Sequence, residues 1–104
     1  MVNNNIKLLD KIHIQKYIYL LNLFVTNQID TTIFEYHFLK IRREDKYWLE
    51  GQFCDQISRI LDSFFLCVDE YNPDSLFDPE DKFNINETYL KNRSNDVLVE
   101  LKSM

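Results

Sequence analysis

Glycine and proline are scarce in this chain, with one of the first and two of the second among 104 residues. All-β folds place glycine in tight turns at short intervals, and phosphate-cradling loops need several glycines close together. Neither is available here, which leaves a helical fold. Cysteine is scarce as well. Cys54 and Cys67 stand 13 positions apart within one helical pattern, about 20 Å at a rise of about 1.5 Å per residue, too far for a disulfide. Both read as buried or half-buried thiols. No apolar run reaches the roughly 20 residues of a membrane span; the longest, Tyr17 to Val25, is interrupted by Asn22. The start, Met1-Val2-Asn3-Asn4-Asn5, lacks the basic residues and the small-residue cleavage site of a secretory signal. A cytoplasmic protein without membrane contact is the expectation. Positive charge is also short, since the net charge is −5, and phosphate contacts need a basic footprint. The one basic cluster, Lys40, Arg42, Arg43 and Lys46, is offset by Glu44 and Asp45 and reads as a solvated helix end. Nucleic acid is not an expected partner.

What is present is apolar and aromatic. Hydrophobic residues make up 45% of the chain, including eight Phe, six Tyr and one Trp, enough to build one core and so to exclude general disorder. The length suits a single domain over residues 1–104, with an ordered core over about 10–101. Four helices follow from the periodicity. The first starts near Asp10 as N-cap and runs to about Asn27, with Tyr17, Leu20, Leu21 and Phe24 as its stripe and Ile14, Ile18 and Val25 widening it. Its β-branched content keeps a buried strand open as the alternative. The second begins at Asp30, with Ile29 and Phe34 as a hydrophobic staple, turns Phe34, Phe38 and Ile41 inward and ends near Arg42-Arg43. The third buries Phe53, Ile57, Ile60, Leu61, Phe64, Val68 and Tyr71, and Pro73 stops it. The fourth is capped by Asn86 and buries Leu90, Val97, Leu98 and Leu101. Short connections favour a compact antiparallel four-helix bundle, an all-α fold with an acidic connector between helices three and four. Trp48, Tyr47 and Phe65 are expected to leave an apolar patch exposed.

Enzymatic signatures are missing. His13 and His37 stand on separate helices without a Cys or carboxylate at ligand spacing, and no nucleophile elbow, zincin motif or phosphate loop occurs. Asp74 to Ile85 superficially resembles a calcium loop. Such a loop needs alternating oxygen ligands, a central glycine and a terminal glutamate, and a segment carrying Phe77, Glu80 and Ile85 does not meet that pattern. No catalytic residue, metal or cofactor is therefore expected.

The most informative stretch is Asp69 to Glu87. It holds Asp69, Glu70, Asp74, Asp78, Glu80, Asp81 and Glu87 against one base, Lys82, a local charge of −6 in a chain whose total is −5. The acidity is thus a local feature. Carboxylates ahead of a helix can simply favour its dipole, and charged loops are ordinarily soluble ones. A compact negative patch on a helical scaffold is also what a small protein would present to a basic cleft.

Residues 64–74, Phe-Phe-Leu-Cys-Val-Asp-Glu-Tyr-Asn-Pro-Asp, and residues 85–90, Ile-Asn-Glu-Thr-Tyr-Leu, resemble the C-terminal half of the colicin D immunity protein family, which includes antidotes of contact-dependent growth inhibition and other polymorphic toxin systems. The resemblance covers roughly residues 12 to 101, with Asn84 and Asn86 standing where more acid would be expected. It implies a non-enzymatic antidote that binds the C-terminal nuclease domain of a cognate toxin, commonly an RNase acting on tRNA, in a 1:1 complex with a monomer. Asp69, Glu70, Asp74, Asp78, Glu80 and Asp81 would meet cations of the toxin cleft, with Tyr71 and Phe77 as aromatic anchors. The alternative from another class is an acidic helical adaptor or nucleic-acid mimic without a toxin partner.

Overall fold

Two local devices and a column of aromatic rings organise the chain. The computed structural model describes residues 8–71 and 86–103. Within them it forms α1 (Leu8–Val25), α2 (Thr31–Glu44), α3 (Lys46–Leu49), α4 (Asp55–Glu70) and α5 (Glu87–Lys102), and no strand. The four long helices lie where periodicity expects them, and α1 is helical throughout, which removes the strand alternative. The N-caps of α2 and α5 are also the expected ones. Asp30 accepts from the Ile33 amide and Asn86 from the Tyr89 amide, each satisfying an amide that the first turn leaves without a helical partner.

The ends of α1 and α3 are closed by residues with positive φ. Asn27, at φ 63°, follows α1; its amide donates to the Phe24 carbonyl, and that of Gln28 reaches back to Leu23. The single glycine repeats the pattern after α3. Gly51 sits at φ 69°, with its amide on Trp48 and that of Gln52 on Tyr47. Both are left-handed closures in which C-terminal carbonyls find donors.

The fifth helix, α3, is a single turn that periodicity did not anticipate. Asp45 makes it. Its backbone, at φ −90° and ψ 92°, breaks α2 while its amide still donates to Arg42, and its side chain accepts from the Trp48 amide. One aspartate therefore ends one helix and starts the next. Asp10 also departs from expectation. It lies inside the first turn of α1 rather than ahead of it, fully buried, and accepts from the Tyr47 hydroxyl at 2.5 Å and the Cys54 amide at 3.3 Å. A buried carboxylate has to be satisfied by donors, and these two fix α1 to the α3–α4 corner.

Packing follows the stripes. α1 packs against α2 and α5, and α4 against α5. Phe24 stacks on Phe34 at 4.3 Å, Phe38 meets Phe64 edge-on at 5.2 Å, and Tyr17 meets both Phe38 and Trp48. The expected exposed patch is corrected here. Trp48 is only 6% exposed, because its indole N–H donates to Asp62 at 2.8 Å and the Arg42 guanidinium covers the rings of Trp48 and Phe65 at 5.0 and 4.0 Å. Tyr47 and Phe65 are half-buried, packed against the core. Cys54 and Cys67 are free and half-buried, as their spacing requires.

Candidate functional site

The acidic connector departs from the end of α4 and returns at the start of α5. Asp69 and Glu70 occupy the last turn of α4, a turn with no basic residue. The carbonyl end of a helix carries partial negative charge, so two carboxylates there work against its stability. Asp69 is exposed and Glu70 half-buried. Tyr71 follows with an extended backbone, its amide on Val68 at 3.2 Å, and its side chain belongs to the core, 9% exposed. The connector is thus rooted on a buried ring. At the other end Glu87, in the first turn of α5, accepts from the Thr31 hydroxyl at 2.5 Å, which joins the starts of α2 and α5. Asp74, Phe77, Asp78, Glu80 and Asp81 lie outside the described residues.

Folding adds an acid that linear reading missed. Glu35 of α2 has its carboxyl pushed above the ordinary value by burial and, secondarily, by the negative charge of Asp69. These residues stand 34 positions apart, so no local motif joins them. The available signal was weaker. Glu35 precedes the inward-facing Phe38 by three positions, which puts a carboxylate on the flank of a buried stripe. A different neighbour faces Glu70. The Cys67 thiol is pushed up chiefly by burial, and Arg93 and Glu70 act on it with opposite signs. Arg93, whose guanidinium also lies 3.5 Å from Glu100, therefore shares this environment.

His13 stacks on Tyr47 at 3.9 Å with the rings nearly parallel, and His37 meets Tyr36 edge-on. Among the described residues no three His, Cys, Asp or Glu side chains converge on a point that could hold a metal, and no helix is long and apolar enough to cross a membrane. The arrangement supplies negative charge at one end of α4 beside α2, on a rigid support.

The family model for bacterial self-protective colicin-like immunity matches residues 12–101. The chain belongs to that family. The match runs from the first turns of α1 almost to the end of α5 and takes in the whole acidic connector, in agreement with the resemblance read from residues 64–74 and 85–90. No curated protein and no solved structure matches. Membership of the colicin-like immunity family implies a protein that protects its host by binding a cognate toxin.

Proposed function

We propose that this immunity protein neutralises a nuclease toxin, an RNase that cleaves tRNA, by presenting carboxylates to the toxin's basic active-site cleft. The family match carries the reading. Charge placement supports it, because Asp69 and Glu70 sit where the α4 dipole disfavours them and Glu35 is held close enough to Asp69 to feel its charge. Groups kept at a cost to the free protein are expected where a partner relieves that cost. The four long helices act as an antiparallel bundle that holds this charge rigidly in the cytoplasm. Asp69, Glu70, Asp74, Asp78, Glu80 and Asp81 stand in for substrate phosphates and pair with toxin Lys, Arg or His. Phe77 is the aromatic contact. Tyr71, buried in the free protein, anchors the connector beneath it. The complex is 1:1 and the protein does no chemistry of its own.

Growth rescue tests this. The C-terminal domain of a toxin-like protein encoded directly upstream is expressed with and without the immunity protein, and surviving cells are counted. Specific rescue that is lost on combined neutralisation of Asp69, Glu70 and Asp74 supports the mechanism. Rescue undiminished by those changes would remove the charge mechanism, and absence of rescue by a folded protein would remove the toxin.

A further inference from the structure

One arginine at the basic end of α2 is drawn inward. Lys40 and Arg43 are exposed, as a solvated helix end leaves them, whereas Arg42 is half-buried. Its guanidinium lies over two rings, 4.0 Å from the centre of Phe65 and 5.0 Å from that of Trp48. The Trp48 ring is itself fixed, with its indole N–H on Asp62 at 2.8 Å and its face edge-on to Phe65. Ring faces attract a cation and restrict a side chain that would otherwise move freely. They do not satisfy all of its N–H donors. Arg42 Nε is buried and has no hydrogen-bond partner. Among the described residues the ion pairs are Lys16–Asp45 and Arg93–Glu100, and neither involves Arg42. Arg93, equally half-buried, thus has a carboxylate where Arg42 has none.

The unpaired cation sits close to the acidic end of α4. Glu35 and Arg42 are seven residues apart on α2, hence on one face and about 10 Å from each other along the axis. On α4, Phe65 and Asp69 are four apart and so neighbours on one face. Glu35 is near enough to Asp69 to feel its charge, and Arg42 lies over Phe65. The seam between the two helices therefore runs from Glu35 and Asp69 at the connector to Arg42 and Phe65, and Leu66, 57% exposed, is the next residue of α4. Nearby acids do not neutralise Arg42. Asp62 serves the Trp48 indole and makes no ion pair with the guanidinium, and Glu44, two residues on, belongs to another side of the helix. A specific interface covers about 800 Å² on each partner, far wider than this interval, so a protein seated on Asp69 reaches Arg42 as well.

We infer that Arg42, held over Phe65 and Trp48, pairs with a carboxylate of the toxin and makes the contact selective. The inference rests on the proposed function and adds to that surface a residue of opposite charge. A guanidinium takes a carboxylate through two parallel N–H···O bonds. Because the rings already restrict its side chain, little further order is lost on pairing. Connector acids attract any toxin with a basic cleft. Arg42 divides those toxins, since one with an acid at the facing position gains a partner and one with a base meets repulsion.

Calorimetry against the toxin domain of the rescue test, with the full-length protein and its Arg42→Lys, Arg42→Met and Arg42→Glu variants, measures this. R42M keeps apolar contact with the rings and R42K keeps the charge; circular dichroism and thermal melting check that each is folded. Affinity should fall in the order wild type, R42K, R42M, R42E, with R42M at least about tenfold weaker than wild type. Exchanging toxin Asp and Glu residues for Lys one at a time should restore binding to R42E at one position. A folded R42M that binds like wild type would overturn the inference and leave the proposed function standing. R42E binding as well as R42M or better would also overturn it, because no toxin carboxylate then faces the site. So would the absence of any restoring position. If the wild-type protein does not bind the toxin domain, the inference falls together with the proposed function.

Discussion

Single carboxylates divide into those that hold this protein together and those that strain it. Asp45 belongs to the first kind. Burial alone would raise its pKa, but the Tyr17 hydroxyl at 2.5 Å, Lys16 and the Trp48 amide outweigh burial and hold the carboxyl below its ordinary value. A lowered folded pKa favours the folded state above the unfolded carboxylate range, and that contribution is lost as pH falls through the lowered value. Asp45→Ala removes an N-cap together with a charge-assisted bond to a buried hydroxyl, and should cost about 2–4 kcal/mol in urea unfolding at neutral pH. It should also flatten the acid limb of the stability curve. Glu35 behaves oppositely. Its raised pKa means that protonation favours the folded state, so its contribution is present below the unfolded value and lost as pH rises through the folded one. Glu35→Gln should therefore leave stability at pH 7 unchanged or improved by a few tenths of a kcal/mol, the figure being small because the group is partly solvated. A marked loss of stability in E35Q would show that the carboxylate has a favourable partner instead.

Tyrosines report on the same corner from the alkaline side. Burial and the bond to Asp10 push the Tyr47 hydroxyl up to about 12, and Tyr17 is pushed further in the same direction by burial and Asp45. Both hydroxyls must lose their proton to ionise and would then face a carboxylate. Their stabilisation is present below the unfolded tyrosine value and lost as pH rises through the folded values. Ultraviolet titration of phenolate should show two tyrosines ionising only with unfolding. Free titration of all six tyrosines in the folded protein would contradict these bonds.

At the scale of elements, the four long helices and two of their caps are legible locally. The caps at Asp30 and Asn86 involve residues three apart, and the stripes of α2, α4 and α5 recur within a few turns, so sequence alone displays them. α3 escapes such reading because four residues hold no period, although its Asp45 cap on the Trp48 amide is as local as the other two. Asp10 is a different case, since its preference for a cap is overridden by tertiary donors on Tyr47 and Cys54. The acidic end of α4 was legible as composition, yet its reach onto α2 through Glu35 was not. That end also offers a test that separates binding from folding. Asp69→Asn removes a charge that opposes the helix dipole and presses on Glu35, and should stabilise the free protein by about 0.3–1 kcal/mol. Under the proposed function the same change weakens toxin binding. Opposite signs in thermal melting and in affinity would mark Asp69 as a binding residue, whereas a simple solvated helix end would show the first effect without the second.

Across the whole molecule the charges are polarised, with carboxylates gathered at the α4–α5 connector and the outer α1 surface free of exposed carboxylates. Such an asymmetry orients an approaching basic partner before contact, and its influence decays over about 8 Å at physiological salt. Association with a toxin should then be fast at low ionic strength and slow by about 10- to 1,000-fold as salt screens the connector. Under the proposed function, neutralising connector acids that only steer the toxin should lower the association rate and flatten its salt dependence, with little change in dissociation. A carboxylate that becomes buried against the toxin behaves differently, because its removal leaves a toxin cation unpaired and costs about 2–5 kcal/mol, mainly as faster dissociation. Stopped-flow rates at several salt concentrations, for Asp69→Asn beside variants at Asp74, Asp78, Glu80 and Asp81, would sort the connector into steering and contacting carboxylates. If no variant changed either rate, recognition would have to reside elsewhere on the surface, and Arg42 over Phe65 would be the next place to mutate.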